Sequence, residues 1–232
     1  MFRLLAPPGG APEAATCHSP PMLRWGAAAY ALLGILALLV ATLWRGGSPL
    51  LHPDPWLVLD PSARHVYSAL WGLAFSGLLV VCTRFAVTRF GWARELHAAL
   101  RPFASGMSLP AIVVIAMLSA FGEEMLFRGL LAPYIGVVPQ ALIFGFAHQI
   151  RGSSRWVWVL WATLVGLALG AMYQLTGSLV GPLAAHAIVN ACNLAYLKSY
   201  DPSPRHALGG LLGARPTSVA TASGTATQVP NH

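Results

Sequence analysis

The sequence predicts an all-α polytopic membrane protein, with about six transmembrane helices around a polar intramembrane cavity. Three observations predict it. Only 9% of the 232 residues are charged and 56% are hydrophobic, against about 25% charged residues in an ordinary soluble domain. Apolar runs of about 20 residues, the length needed to cross a bilayer as a helix, recur along the chain. The polar groups inside those runs are few and concentrated.

Residues 1–22 are rich in Pro, Ala and Gly and read as a disordered arm. Trp25 to Trp44 is the first span, with a tryptophan at each end as interfacial anchors have. It starts late and has no clear cleavage site, so it reads as a retained span rather than a signal peptide. The proline-rich stretch 46–65 is a loop, and His65 to Thr83 is the second span. Residues 84–107 carry Arg84, Arg89, Arg94 and Arg101 between apolar residues, an amphipathic interfacial pattern. Residues 23–107 thus form one unit of two spans plus an interfacial stretch.

A second unit, 108–198, holds the rest of the apolar sequence. Its third span is Leu109 to Leu131, followed by a shorter fourth helix, Val138 to Gln149. The fifth span is Trp156 to Leu175 and the sixth Ser178 to Leu197. Residues 199–232 are rich in Pro, Ser, Thr, Gly and Ala and read as a disordered tail. Cys82 and Cys192 lie in apolar runs and read as buried fillers; with Cys17 they form no CxxC pair. Gly166 and Gly170 form a GxxxG close-packing pattern, and Trp156, Trp158 and Trp161 read as interface anchors.

The net charge of +7 is spread through loops rather than gathered in a stripe, which argues for membrane topology and against nucleic acid. Alternate loops differ sharply in Lys and Arg. The positive-inside rule places both termini in the cytoplasm.

The charged residues and histidines well inside apolar runs are Glu123, Glu124, Arg128, His148 and His186. Such groups are costly in hydrocarbon and are by default functional or paired. Glu124 and Arg128 are spaced to pair along one helix face, as are His186 with Asn190 and Phe144 with His148. At about 1.5 Å per residue, Glu123, His148 and His186 lie roughly 12–15 Å from helix ends on the same side, so they can meet at one depth. A buried ion network or isolated core histidines would match in depth only by coincidence. Such a cluster suits hydrolysis: a carboxylate as general base, histidine as partner, and histidine with asparagine as an oxyanion site. Arg128 fixes Glu124 and offsets the repulsion of two adjacent acids.

Glu123-Glu124-Met125-Leu126-Phe127-Arg128 reads as EExxxR, Phe144 to His148 as FxxxH and His186 to Asn190 as HxxxN. In this order on successive helices, they resemble the CPBP family of intramembrane proteases, which includes CAAX prenyl endopeptidases and bacterial Abi-type proteins. The resemblance covers about residues 108–198. It implies that Glu123 activates water, His148 assists, and His186 with Asn190 forms the oxyanion site. Glu124, Arg128 and Phe144 are then supporting residues.

The resemblance leaves two chemistries open: a metal-free glutamate mechanism with no cofactor, which is the expectation, or zinc held by Glu123, His148 and His186. It implies an integral protein of a bacterial inner membrane. The substrate is expected to be a membrane-anchored protein cut near its C-terminal or membrane-proximal segment, with a sorting signal or lipidated cysteine. The arginine count puts the site-bearing face outside the cytoplasm, which matches relatives such as the myxosortases that process C-terminal sorting signals. A non-catalytic immunity or maturation factor and a proton-coupled transporter are the rival readings. The absence of an internal repeat argues against the transporter.

Overall fold

The computed structural model describes residues 21–202; the arm expected over 1–22 and the tail expected over 199–232 lie outside them apart from their inner edges. The described residues are helical, with a single isolated bridge between Leu51 and Ser178. Helix α1 spans Pro21–Arg45, α2 Pro61–Arg89, α3 Gly91–Ser105 and α4 Leu109–Glu124. A π-helical stretch, Met125–Leu131, continues α4 into the short α5, Ala132–Ile135. Then follow α6 Val137–Ala147, α7 Arg155–Thr176 and α8 Val180–Ser199.

Local chemistry sets several of these boundaries. Asp60 accepts the Ser62 backbone N–H at 2.9 Å with Pro61 at the first helical position, and so starts α2. Ser108 does the same for α4, accepting from the Ala111 N–H at 3.3 Å. Gly177, at φ +70°, ends α7 in the left-handed conformation that glycine adopts without strain.

Among the described residues, five helices are long and apolar enough to cross a membrane, with α4, the π stretch and α5 counted together as Leu109–Ile135. The chain is an integral membrane protein. The shorter fourth helix expected over Val138 to Gln149 is α6, and at 11 residues it is about 16 Å long, half of the roughly 30 Å hydrocarbon core. It enters the bundle and stops inside it. The spans therefore number five plus a half-length helix.

Two further expectations change. Arg84 and Arg89 belong to the end of α2, so the interfacial helix is only α3, whose buried face is Ala93, Leu96, His97 and Ala104. Cys82 is exposed at the bundle surface and Cys192 half-buried, so neither is a core filler.

The two ends of the bundle are built differently. At one end, residues 46–60 fold over the α7–α8 turn. Trp56 N–H donates to Gln174 O at 2.8 Å, and Leu179 N–H to Leu50 O at 2.9 Å. Arg45 ties this cap down, donating to Gly129 O and Leu51 O at 2.8 Å each. At the other end, α3 closes over the end of α8. Lys198 donates to Met107 O at 2.6 Å, and Arg101 pairs with Asp201 at 3.6 Å.

Glycines let the helices approach closely. Gly166 and Gly170 seat α7 against Ala141, Phe144, Val137 and Gln140 of α6, as the GxxxG pattern predicts. Gly72 and Gly181 seat α2 against α8: a Cβ on Gly181 would lie 2.1 Å from Ser68 O. Gly181→Ala is expected to destabilise the bundle by about 1–3 kcal/mol or more, because the obstructing atom is backbone. Gly77→Ala, with nothing within 4 Å of its Cβ position, is expected to leave stability unchanged or slightly raised. Thermal unfolding in one detergent compares the pair.

Candidate functional site

The site is assembled from α4, the π stretch, α6 and α8, around a guanidinium with no solvent exposure. Arg128 Nη1 donates to Glu124 Oε1 at 2.7 Å, and Nη2 to Gly166 O of α7 at 3.1 Å. Its guanidinium also lies over the Phe144 ring, 4.5 Å from the centroid. Gln140 Nε2 shares the Gly166 carbonyl at 3.1 Å. Both charges of the Arg128–Glu124 pair are fully buried. The π geometry is local to this pair: it begins one residue after Glu124 and contains Arg128. Such widened turns cluster at functional positions.

Glu124 reaches across to α8. His186 Nδ1 lies 2.7 Å from Glu124 Oε1. A carboxylate paired with arginine can only accept, so Nδ1 carries the hydrogen, and the other ring nitrogen faces Glu123. His186 Nε2 is 3.7 Å from Glu123 Oε2.

His148 is held in a parallel way. It sits at the C-terminal cap of α6 rather than inside a long span, and its Nδ1 lies 2.8 Å from the Phe144 carbonyl oxygen. The carbonyl too accepts only, so His148 also presents Nε2 to Glu123, at 3.4 Å from Oε2. That contact is in ion-pair range but out of line for a hydrogen bond, and Glu123 Oε2 has no hydrogen-bond partner. Phe144 packs between the parts, with ring centroids 4.4 Å from His148 and 6.1 Å from His186.

The structure therefore brings together Glu123, His148 and His186, with Glu124, Arg128 and Phe144 behind them. Asn190 is placed slightly apart: its amide donates to Ser119 Oγ of α4 at 3.0 Å. It faces the same cavity and keeps a second N–H for another acceptor. Among the described residues, no group of three or more His, Cys, Asp or Glu side chains has the geometry of a metal site, and this includes Glu123, His148 and His186.

A cavity of about 380 Å³ leads away from the cluster. Tyr30, Ser119, Glu123, His148 and Asn190 line its inner part, and Trp92, Leu96, His97, Leu100 and Phe103 of α3 its outer part. It thus opens at the α3 end of the bundle. That end carries Arg84, Arg89, Arg94, Arg101, Arg151, Arg155 and Lys198, whereas the opposite end carries Arg45 and Arg64. This corrects the expectation that the site faces the arginine-poor side: depth measured from helix ends located the cluster but not its opening.

Sequence reasoning missed Tyr30, Ser119 and Asn193, which also line the cavity, and misread two tryptophans. Trp158 and Trp161 face the cavity, with the Trp158 ring 5.9 Å from His148, while Trp156 is exposed as an anchor would be. Ser119 carries a readable signal, four residues before Glu123 on the same helix face.

Arg128→Met is expected to leave Glu124 buried without its cation and to cost about 3–5 kcal/mol, or prevent folding. Glu123→Gln removes no aligned hydrogen bond at Oε2 and is expected to leave the unfolding temperature near wild type. Parallel thermal melts in detergent compare them.

Residues 105–192 match the family model "Type II CAAX prenyl endopeptidase Rce1-like". The chain is also similar to the uncharacterized protein YpbD of Bacillus subtilis (strain 168), 42% identical over 87 residues. That alignment covers 38% of this chain and 46% of YpbD, so the chain spans about half the length of the curated relative it matches. No solved structure matches the chain. The matched stretch 105–192 bears Glu123, Glu124, Arg128, His148, His186 and Asn190, so the chain is similar to the Rce1-like type II CAAX prenyl endopeptidases over the segment that holds the cluster.

Proposed function

We propose that the protein is an intramembrane endopeptidase that hydrolyses a peptide bond in a membrane-tethered protein, near its C-terminal or membrane-proximal segment. One observation carries the reading. Glu123 Oε2 lies 3.4 Å from His148 Nε2 and 3.7 Å from His186 Nε2, and Glu123 and His148 line a largely apolar cavity. The match of residues 105–192 to the Rce1-like family model supports it.

Glu123 takes a proton from a water held against it, and the water oxygen attacks the scissile carbonyl carbon. The carbonyl oxygen becomes an oxyanion. The free N–H of Asn190 stabilises it together with His186, which Glu124 holds through Nδ1 and which donates from Nε2 when protonated. As the C–N bond breaks, the proton taken by Glu123 passes by way of His148 to the leaving amine. Glu124 and Arg128 touch no substrate; they fix the height and tilt of His186. The mechanism proposed is glutamate-based, with Glu123 as the base; zinc held by Glu123, His148 and His186 is the alternative chemistry.

Glu123→Gln and wild type are to be compared by mass spectrometry of membrane-protein termini. Uncleaved precursors accumulating in the variant, at equal abundance of the protein, are expected, and they identify the substrate. Unchanged termini throughout would leave a binding or transport role. Cleavage abolished by 1,10-phenanthroline and restored by zinc would overturn the metal-free chemistry.

The arginine-rich α3 end is assigned to the cytoplasm by the positive-inside rule, so the site opens to the cytosol. Single cysteines at Ser105 and Ser48, in a protein freed of its native cysteines, are expected to differ in intact cells. A membrane-impermeant maleimide reaches Ser48→Cys and not Ser105→Cys.

A further inference from the structure

Helix α1 lies outside the family-matched stretch 105–192, yet it supplies a side chain to the site. Its approach to α4 is set by glycine. A Cβ on Gly122, the residue before Glu123, would lie 2.7 Å from Tyr30 O, and one on Gly34 would overlap the Phe121 ring and reach Gly122 Cα at 3.2 Å. The two helices are therefore in backbone contact one residue before Glu123. That contact fixes the depth of Tyr30 in the bilayer. Its side chain lines the same cavity as Glu123.

Glu123 needs such a partner. Glu124 is held through Oε1 by a guanidinium and an imidazole at 2.7 Å each. The Oε2 atoms of both Glu124 and Glu123 have no hydrogen-bond partner, and among the described residues no arginine pairs with Glu123 to fix its carboxylate. The two histidines offer it Nε2 lone pairs while they are neutral. Among the residues around the cavity, the Tyr30 O–H is a donor that can meet the carboxylate without itself carrying charge into the membrane.

We propose that Tyr30 is the positioning residue for Glu123: its phenol O–H donates to the carboxylate and holds it in the orientation that receives the water proton. This rests on the reading of Glu123 as general base. The donor comes from a helix beyond the matched segment, so the site is complete only when α1 is packed against α4. A hydrogen bond to a charged group is strong enough that its loss is felt as about tenfold or more in rate.

The experiment uses the full chain in lipid nanodiscs and reads the carboxyl infrared bands of wild type, Tyr30→Phe and Glu123→Gln. The band absent in Glu123→Gln belongs to Glu123. It is expected to shift in frequency in Tyr30→Phe, with the unfolding temperature unchanged, since the ring and its packing remain. A band at the wild-type frequency overturns the proposal. On the precursor that Glu123→Gln accumulates, Tyr30→Phe is expected to lower kcat about tenfold or more with KM unchanged. A shifted band with unchanged kcat overturns the positioning role. The infrared result needs no substrate, so it stands apart from failure of the protease reading, which would appear as the absence of any accumulated precursor.

Discussion

Everything at the centre of this bundle depends on burying one guanidinium. Arg128 has no solvent exposure, and a charge in hydrocarbon is tolerated only with its partners in place. Its partners come from several elements: Glu124 at the end of α4, the Gly166 carbonyl of α7, and the Phe144 ring of α6. Glu124 extends the chain to His186 of α8. Because a broken link would strand a buried charge, four helices are held in register around one point. The π turn belongs to the same arrangement, since it lies where Arg128 must reach both Glu124 and Gly166. Gly166 serves twice, through its carbonyl and through the absence of a Cβ that would press on Phe144.

The same chain explains why two adjacent glutamates end in different states. Glu124 is neutralised and fixed, with Oε1 held at 2.7 Å from both sides. Glu123, rotated about 100° around the helix, faces the cavity, and its nearest histidine nitrogens are at 3.4 and 3.7 Å. That separation suits the proposed hydrolysis, which calls for rigid support behind and a loosely satisfied base in front. Both histidines follow that division. Each spends Nδ1 on the scaffold and turns Nε2 to Glu123.

The bundle class and the identity of the cluster were legible because hydrocarbon makes polar residues conspicuous. Glu123, Glu124, Arg128, His148 and His186 stood out against apolar runs, and helical spacing gave the Glu124–Arg128 pair directly. What was not legible depends on partners distant in sequence. Tyr30 looks like any tyrosine in an apolar helix until Gly34 and Gly122 bring α1 against α4. Trp158 and Trp161 looked like interface anchors because tryptophan so often is one; only the packing of α7 beside the short α6 turns them to the cavity. The cavity's opening was misjudged because equal depth from helix ends says where groups meet and nothing about which end of the bundle is left unfilled.

The half length of α6 bears on how a polar cluster can exist in a bilayer. Non-helical backbone at membrane depth is tolerated only where protein buries it or it lines a cavity. Ending α6 at Ala147 leaves carbonyls without helical partners, and His148 turns back to one of them, Phe144 O, at 2.8 Å. The act of capping the broken helix sets the tautomer of His148 and points Nε2 at Glu123. Beyond the cap lies a cavity lined by His148 together with residues of α3. Had α6 crossed the membrane, His148 would sit in an unbroken helix, with its backbone satisfied and its ring free to rotate. The interruption thus positions the histidine and leaves a cavity beside it.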